Sequence, residues 1–372
     1  MRVVIVGAGV AGLATGWRLA QKGVRVTVID RAQPGRGASW AAAGMIAAGA
    51  ETGEATSPEA ELARRSRALW PDFAHEIEQL SGIAIGYAQD GALLVATTRQ
   101  QAADFAQRAR NSNELVALTD EEARKMEPRL GGDVCGALLA TKDARVDNRK
   151  LGDALTLCLR KAGGRIVPND PVMRIDPDGA RGIQVCTSFG IYEADAVVLA
   201  AGAWSGQVPG LPAGALPPVR PFKGEMLSLR PPRDATLPQR VVWGHDIYLV
   251  PRGNRLLVGA TLDDAGFDTR ITAKALDWLT ERAVALMPEL RKWRIEEHWA
   301  GLRPASPDGL PILGPSAIEG LYVASGQHRN GILFAPSVAE ILSRAVLERS
   351  EGPKAFDPRR FGAALAQGTG FR

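Results

Sequence analysis

The chain has 372 residues, 45% of them hydrophobic and 23% charged. That length exceeds one ordinary hydrophobic core, and the composition excludes low-complexity disorder over most of the chain. The net charge of +4 comes from 45 basic and 41 acidic residues, too dispersed for a nucleic-acid surface. Cys135, Cys158 and Cys186 are far apart, and His75, His245, His298 and His328 make no ligand spacing. No metal is therefore expected, and a reducing, cytoplasmic setting fits. The apolar stretch Val3 to Gly16 is too short for a membrane span and too glycine-rich for a secretory leader.

Residues 3–6 read Val-Val-Ile-Val, a run suited to a strand buried on both faces of a parallel sheet. Gly7-Ala8-Gly9-Val10-Ala11-Gly12 follows, then Val10, Leu13, Ala14 and Trp17 at helical spacing, with Gly23 as the helix stop. A second strand over 24–29 ends at Asp30, 18 residues after the third glycine. A lone GxGxxG is weak; between a strand and a helix, with an acid closing the next strand, it is a dinucleotide-binding unit. Gly7 permits the tight turn, Gly9 admits a pyrophosphate to the backbone, and Gly12 lets helix and strand pack closely. The helix N-terminus offers unpaired N–H groups and partial positive charge to phosphates. Asp30 suits ribose hydroxyls. This unit alone does not choose between FAD and NAD.

Small residues dominate 35–51, which predicts close approach of a ligand or another backbone. A long amphipathic helix is expected over 57–80, started by Ser57-Pro58. Next come a hairpin over 84–98 around Gln89-Asp90-Gly91 and helices near 99–111, 119–127 and 150–162. Short strands are expected at 165–167, 171–175 and 183–188, and a second buried strand over 196–202. Proline-rich segments at 208–221 and 231–238 suggest a domain crossing. Strands dominate 221–262, a helix covers 272–287, and a strand over 293–300 precedes Gly301-Leu302-Arg303-Pro304. Residues 321–336 read as strand, glycine-rich turn and the start of a helix running to 348.

Nucleotide-binding material thus flanks two strand-rich blocks. The expected fold is α/β: a discontinuous Rossmann-like domain (1–84, 146–216, 300–372) with an inserted α+β substrate domain (85–145, 217–299) dominated by a mixed antiparallel sheet.

Several blocks carry a family resemblance. They are GAGVAG with Asp30, SWAAAGMIAAGAE (Ser39–Glu51), VLAAGAWS (198–205), VRPFKGEML (219–227), HDIYLVPR (245–252), LVGAT (257–261), WAGLRP (299–304) and GQHRNGILFAP (326–336). Together they resemble the D-amino-acid oxidase superfamily of FAD-dependent oxidoreductases, on the branch of glycine oxidase of the thiamin (thiazole) pathway. The resemblance implies noncovalent FAD. Its ADP part would meet Gly7, Gly9, Val10, Ala11, Gly12, Asp30 and Arg31. Ser39, Ala42, Ala43, Gly44 and Met45 would lie along the flavin, with Val172 near the adenine. Gly202 and Trp204 would line the cofactor, and His328, Arg329, Asn330, Gly331, Ile332 and Leu333 would cover the isoalloxazine, with Arg303 beside it. Tyr248, Arg303 and Arg329 would be the catalytic residues; they and Ala47 and Leu262 would contact substrate. Asp246, Leu262 and Ala47 depart from the best-known pattern, which has His, Met and Gly there, and so leave the substrate open.

The chemistry agrees. An amino-acid oxidase needs a cation for the substrate carboxylate, and the planar fork of Arg binds both oxygens. The flavin accepts hydride from the α-carbon, so the protein need only orient that bond. The competing readings of the same residues are an ordinary ion-pair arginine for Arg303, packing for Tyr248 and a backbone role for Arg329. The implied reaction converts glycine, sarcosine or a small D-amino acid to an imine, then oxo acid and ammonia, with oxygen giving peroxide. A homo-oligomer, as large as a tetramer, is expected. Rival readings are a D-amino-acid dehydrogenase serving a quinone, a subunit of a cyanide-forming complex, and a non-catalytic FAD-binding protein.

Overall fold

A computed structural model describes residues 1–52, 55–179, 182–212 and 215–362. The chain opens with β1 (Arg2–Val6), α1 (Val10–Gln21) and β2 (Arg25–Ile29). In the small-residue block follow α2 (Ala38–Ala41), β3 (Met45–Ile46) and α3 (Ala48–Thr52), none of which periodicity predicts. Then comes α4 (Pro58–Ser81), where the Ser57 side chain accepts the Ala60 N–H and Pro58 fills the first turn. β4 (Ala92–Ala96), α5 (Arg99–Arg110), β5 (Leu115–Leu118), α6 (Asp120–Met126), β6 (Gly136–Ala140), β7 (Ala144–Arg145) and α7 (Asn148–Lys161) complete the first half. Both α5 and α6 start in reciprocal capping boxes, Thr98 with Gln101 and Thr119 with Glu122.

The second half holds β8 (Arg165–Val167), β9 (Val172–Asp176), β10 (Ile183–Thr187), β11 (Ile191–Ala194) and β12 (Ala196–Leu199). After a short 3-10 turn come β13 (Arg220–Arg230), β14 (Val241–Trp243), β15 (Tyr248–Arg252) and β16 (Arg255–Gly259). α8 (Ala273–Leu286), β17 (Arg294–Ala305), β18 (Ile312–Pro315), β19 (Leu321–Ser325) and α9 (Ala335–Glu348) follow.

The first sheet has the order β18-β19-β12-β1-β2-β8, with β1 parallel to both β2 and β12. Its central strands are buried on both faces because α1, α7 and α9 cover one side and the small sheet β11-β10-β9 the other. The second sheet has the order β17-β13-β16-β15-β14-β4-β6-β5 and is mostly antiparallel. One face packs against α8, and the opposite face turns its Met226, Leu257 and Trp299 toward Ala41, Ala43 and Ala47. The α/β fold with a Rossmann-like sheet and a second, mixed sheet matches the sequence reading.

Two expectations fail. Residues 84–98 are not a hairpin: Ala88 makes a single bridge to Arg145, and β4 pairs with β6 and β14 instead. The turn at Gly91 is real (φ +79°), but it leads into a strand with distant partners. The strand expected at 293–300 runs on to Ala305, pairing with β13 as far as Arg220, so the Gly301–Pro304 motif lies within the strand and does not follow it.

Candidate active site

The first sheet's carboxyl edge is built around the glycine turn. Gly7 has φ +109°, and a Cβ there would lie 2.3 Å from the Ala200 carbonyl oxygen on the neighbouring strand end. A Cβ on Gly12 would lie 2.0 Å from the Gly7 oxygen. At Gly9 the nearest atom to such a Cβ is the Ser39 hydroxyl, at 3.3 Å, and the side facing outward is open. Among the described residues the N–H groups of Gly9, Ala11 and Gly12 have no protein acceptor, while that of Val10 donates to Ser39 Oγ at 2.9 Å. This is a cradle for an anionic group at a helix N-terminus. Asp30 is tied to the turn by the N–H groups of Ala8 and Ala32, at 2.7 and 2.8 Å, and burial pushes its carboxyl up. Beside it the Arg31 guanidinium lies 3.5 Å over the Trp204 ring, which also touches Phe267.

The small-residue block continues from this cradle toward the second sheet. Asn148 donates to the carbonyls of Ser39 and Trp40 at 2.6 and 3.0 Å, and accepts from Arg252 at 2.5 Å. Gly44 (φ +81°) presses so close to Val146 that a Cβ would sit 2.0 Å from its oxygen. Trp299 Nε1 donates to the Ala41 carbonyl at 3.0 Å. Farther on, Asp143 accepts the N–H groups of Gly49 and Ala50, both at 2.7 Å, and pairs with Arg67, which also binds Glu114. Arg108 donates to the carbonyls of the same two residues, so α3 is gripped at its backbone from both sides.

α3, β13, β15, β17 and the turn before α9 converge on one polar cluster. Tyr248 is held by a ring-sized gap at Gly259, where a Cβ would lie 2.5 Å from the ring. Burial pushes its phenol up; Arg303 and Arg329 oppose that shift and Glu51 adds to it, so all three reach the hydroxyl electrostatically. The Arg303 guanidinium lies over Gly224, whose Cβ would be 2.2 Å from Nη1, and donates to the Thr261 carbonyl at 3.0 Å. Arg329 Nε donates to Glu51 at 2.9 Å. His328 sits in the left-handed region (φ +46°), its N–H bound to the Pro304 carbonyl at 2.8 Å. Burial and the two arginines push its imidazole down to about 4, so it is neutral near pH 7. The apolar wall of this cluster includes Ala43, Ala47, Met45 and Met226.

A family model described as FAD dependent oxidoreductase matches residues 2–345. The chain belongs to the FAD-dependent oxidoreductases. It is 39% identical to the glycine oxidase of Geobacillus kaustophilus, over 95% of this chain and 94% of that one. The crystal structure of glycine oxidase from that organism superposes with a TM-score of 0.90, covering 96% and 99% of the two chains at 37% identity. The bifunctional protein ThiO/ThiG of Trichormus variabilis is 37% identical over 94% of this chain, which spans about half (53%) of that relative's length. Iminodiacetate oxidase from Chelativorans superposes with a TM-score of 0.86 at 29% identity, covering 96% and 99%.

The residues present fit FAD. The bare Gly7–Gly12 turn leaves N–H groups for the pyrophosphate, and the Asp30 carboxylate has lone pairs beyond the two it uses on backbone. Val172 begins β9 just past Asp170, whose N–H binds the Asp30 carbonyl, so it stands at the same end. Gly202 (φ +56°) opens the turn after β12, with Trp204 two residues on. Ala42, Ala43, Gly44 and Met45 link this end to the polar cluster. Asn330, Gly331, Ile332 and Leu333 form the turn into α9, fixed by Ser66 Oγ and Trp70 Nε1 donating to the Leu333 carbonyl at 2.7 and 2.9 Å. Leu262 is 59% exposed, just beyond Thr261 and outside the buried wall.

Sequence reasoning missed Glu51, Asp143, Asn148, Gly224 and Gly259. Glu51 had a signal: it is the acid that ends a run of small residues. The others act through distant neighbours that a single sequence does not display.

Proposed function

We propose that this protein catalyses FAD-dependent oxidative deamination of glycine, sarcosine or a small D-amino acid. The products are the oxo acid (glyoxylate from glycine), ammonia or the amine, and hydrogen peroxide from oxygen. The carrying observation is the convergence of Tyr248, Arg303, Arg329 and Glu51 at the end of a small-residue wall. When bound, FAD supplies the hydride acceptor. Arg303 is the carboxylate clamp: its position is fixed by Thr261 and the space over Gly224, and its fork suits both carboxylate oxygens. Tyr248 adds a hydroxyl from β15, which β13 and β16 separate from β17 in the sheet. Neutral His328 leaves the carboxylate to Arg303. Ala43, Ala47 and Met45 keep water from the α-carbon and leave room for a small side chain. The substrate amine reacts unprotonated, so no side-chain base is required.

The relatives named ThiO/ThiG and glycine oxidase support a place in thiamin thiazole formation. Among the described residues no helix is long and apolar enough to cross a membrane. A cytoplasmic homo-oligomer is part of the proposal; the exposed Met173, Phe189 and Ile191 on the three-stranded sheet offer an apolar contact, which light scattering tests. The deciding experiment mixes the yellow protein anaerobically with glycine, sarcosine or D-alanine, then admits air. Bleaching followed by recovery with peroxide release is expected. Bleaching without recovery would replace oxygen by another acceptor, and no bleaching by any of the three would remove the proposed substrates.

A further inference from the structure

The proposed reaction gives Glu51 no chemical role, yet its carboxylate is 9% exposed beside the groups that would take the substrate. Burial pushes this carboxyl up, and Arg329 and Asn330 pull it back. Asn330 also donates to Glu59 at 3.1 Å. The backbone under Glu51 is immobilised: Asp143 takes the N–H groups of the two preceding residues and Arg108 their carbonyls. The partner Arg329 follows His328, whose backbone is anchored to the residue after Arg303. The pair is therefore built into two fixed segments, although the Arg329 side chain is itself 59% exposed.

The charges then count as follows. Of the charged groups that reach the Tyr248 hydroxyl, Arg303 and Arg329 are cations and Glu51, ion-paired to Arg329, is the anion; His328 is neutral, and Glu59 stands behind Glu51, held by Asn330. Arg303 donates to the Thr261 carbonyl, acts on the Tyr248 phenol and has no carboxylate partner among the described residues. Arg329 is already paired. One unpaired cation remains for one substrate carboxylate. A second carboxylate on the ligand would meet an arginine already neutralised and a buried anion of its own sign, a costly arrangement where water is scarce.

We propose that Glu51 is a specificity-determining residue that cancels Arg329 and restricts the site to ligands with a single carboxylate. The inference rests on the proposed amino-acid site. Removing the anion would release Arg329 as a second clamp, so that an amine with two carboxylates, such as iminodiacetate, gains over its one-carboxylate counterpart sarcosine. A relative of the same fold is named an iminodiacetate oxidase, so a scaffold of this shape is compatible with such a ligand.

The test uses the holoenzyme with acetate and malonate as probes, followed by changes in flavin absorbance. Glu51→Gln keeps the side-chain shape, and its malonate-to-acetate affinity ratio is expected to rise at least tenfold. Arg329→Ala, which strands the anion, should move the ratio the other way. The double variant Glu51→Gln/Arg329→Ala should lose the gain. In steady state the iminodiacetate-to-sarcosine ratio of kcat/KM should follow the same order. An unchanged ratio in Glu51→Gln, a gain that survives in the double variant, or wild-type protein that binds neither acid would each overturn the inference. Failure of glycine, sarcosine and D-alanine to bleach the wild type would strike the oxidase reading instead, because the titrations need no turnover.

Discussion

In the proposed reaction the chemistry turns on Arg303 and Tyr248, and their neighbours decide whether they are in place. Arg303→Ala should lower kcat/KM by about 2–5 kcal/mol in transition-state binding, roughly 30- to several-thousand-fold, while the protein stays yellow. Steady-state kinetics beside an absorbance spectrum checks both halves. Gly224→Ala should produce much of the same loss with Arg303 still present, because the new methyl would occupy the guanidinium's position. His328 gives a pH dependence. Its folded value, about 4, is depressed below the ordinary histidine range, so the unfolded chain takes up a proton first as pH falls. The stabilisation is complete above about pH 6.5 and is lost as pH falls toward the folded value, up to about 3 kcal/mol. His328→Asn, which tolerates the left-handed backbone, should flatten that loss in urea unfolding midpoints measured between pH 7 and 4.5. Of these residues Arg303 and Tyr248 are the candidates that WAGLRP and HDIYLVPR mark, and the structure brings them together. Gly224 sits inside VRPFKGEML, but nothing local says that an arginine from another strand lies on it.

At the scale of elements, α3 shows how a short helix without strong periodicity can be specified. Its five residues carry little helical signal, and Asp143, nearly a hundred residues later, supplies what the local sequence lacks. Asp143→Ala would leave Arg67 and two N–H groups without their shared acceptor, and should cost about 3–5 kcal/mol of stability. Thermal unfolding of the holoprotein, with a raised KM in the surviving fraction, is the check. The glycine turn is the contrary case, because its requirements are written in adjacent residues. Gly7→Ala, at φ +109° and against the Ala200 carbonyl, should yield colourless protein whose fluorescence-monitored FAD titration shows no tight binding. The long helices were readable from their caps and amphipathic spacing. The segment 84–98 was not, because β4 finds its partners in β6 and β14 rather than across the turn.

Across the whole molecule, the two sheets are joined through a few polar stitches. Arg252 on β15 reaches Asn148 at the start of α7, and Asn148 reaches the carbonyls of Ser39 and Trp40. Arg149 binds Glu297 of β17 through two bonds of 2.9 Å and lies 3.6 Å over the Trp40 ring. The sequence suggested interleaved domains because nucleotide-binding patterns recur at the start, middle and end. It did not show where β17 belongs, since a boundary at 299–300 cuts a strand that pairs continuously with β13. If, as proposed, the cofactor site draws on α1, the 38–46 segment and the turn before α9, FAD at a hundredfold excess over its Kd should add about 2.7 kcal/mol of stability. A calorimetric scan with and without added FAD measures this.

β17 has one further consequence. Trp299, Gly301 and Arg303 alternate along it and share a face. Trp299 bonds the Ala41 carbonyl, Gly301 abuts the Ala41 side chain so closely that a Cβ would lie 2.4 Å from it, and Arg303 reaches the substrate cluster. Deleting one residue between 299 and 303 would invert every later side chain, sending Arg303 to the opposite face while the strand still paired. Spacing along this strand is therefore as much a requirement of the proposed site as the identity of Arg303, and a one-residue deletion here is expected to abolish turnover while leaving the sheet paired.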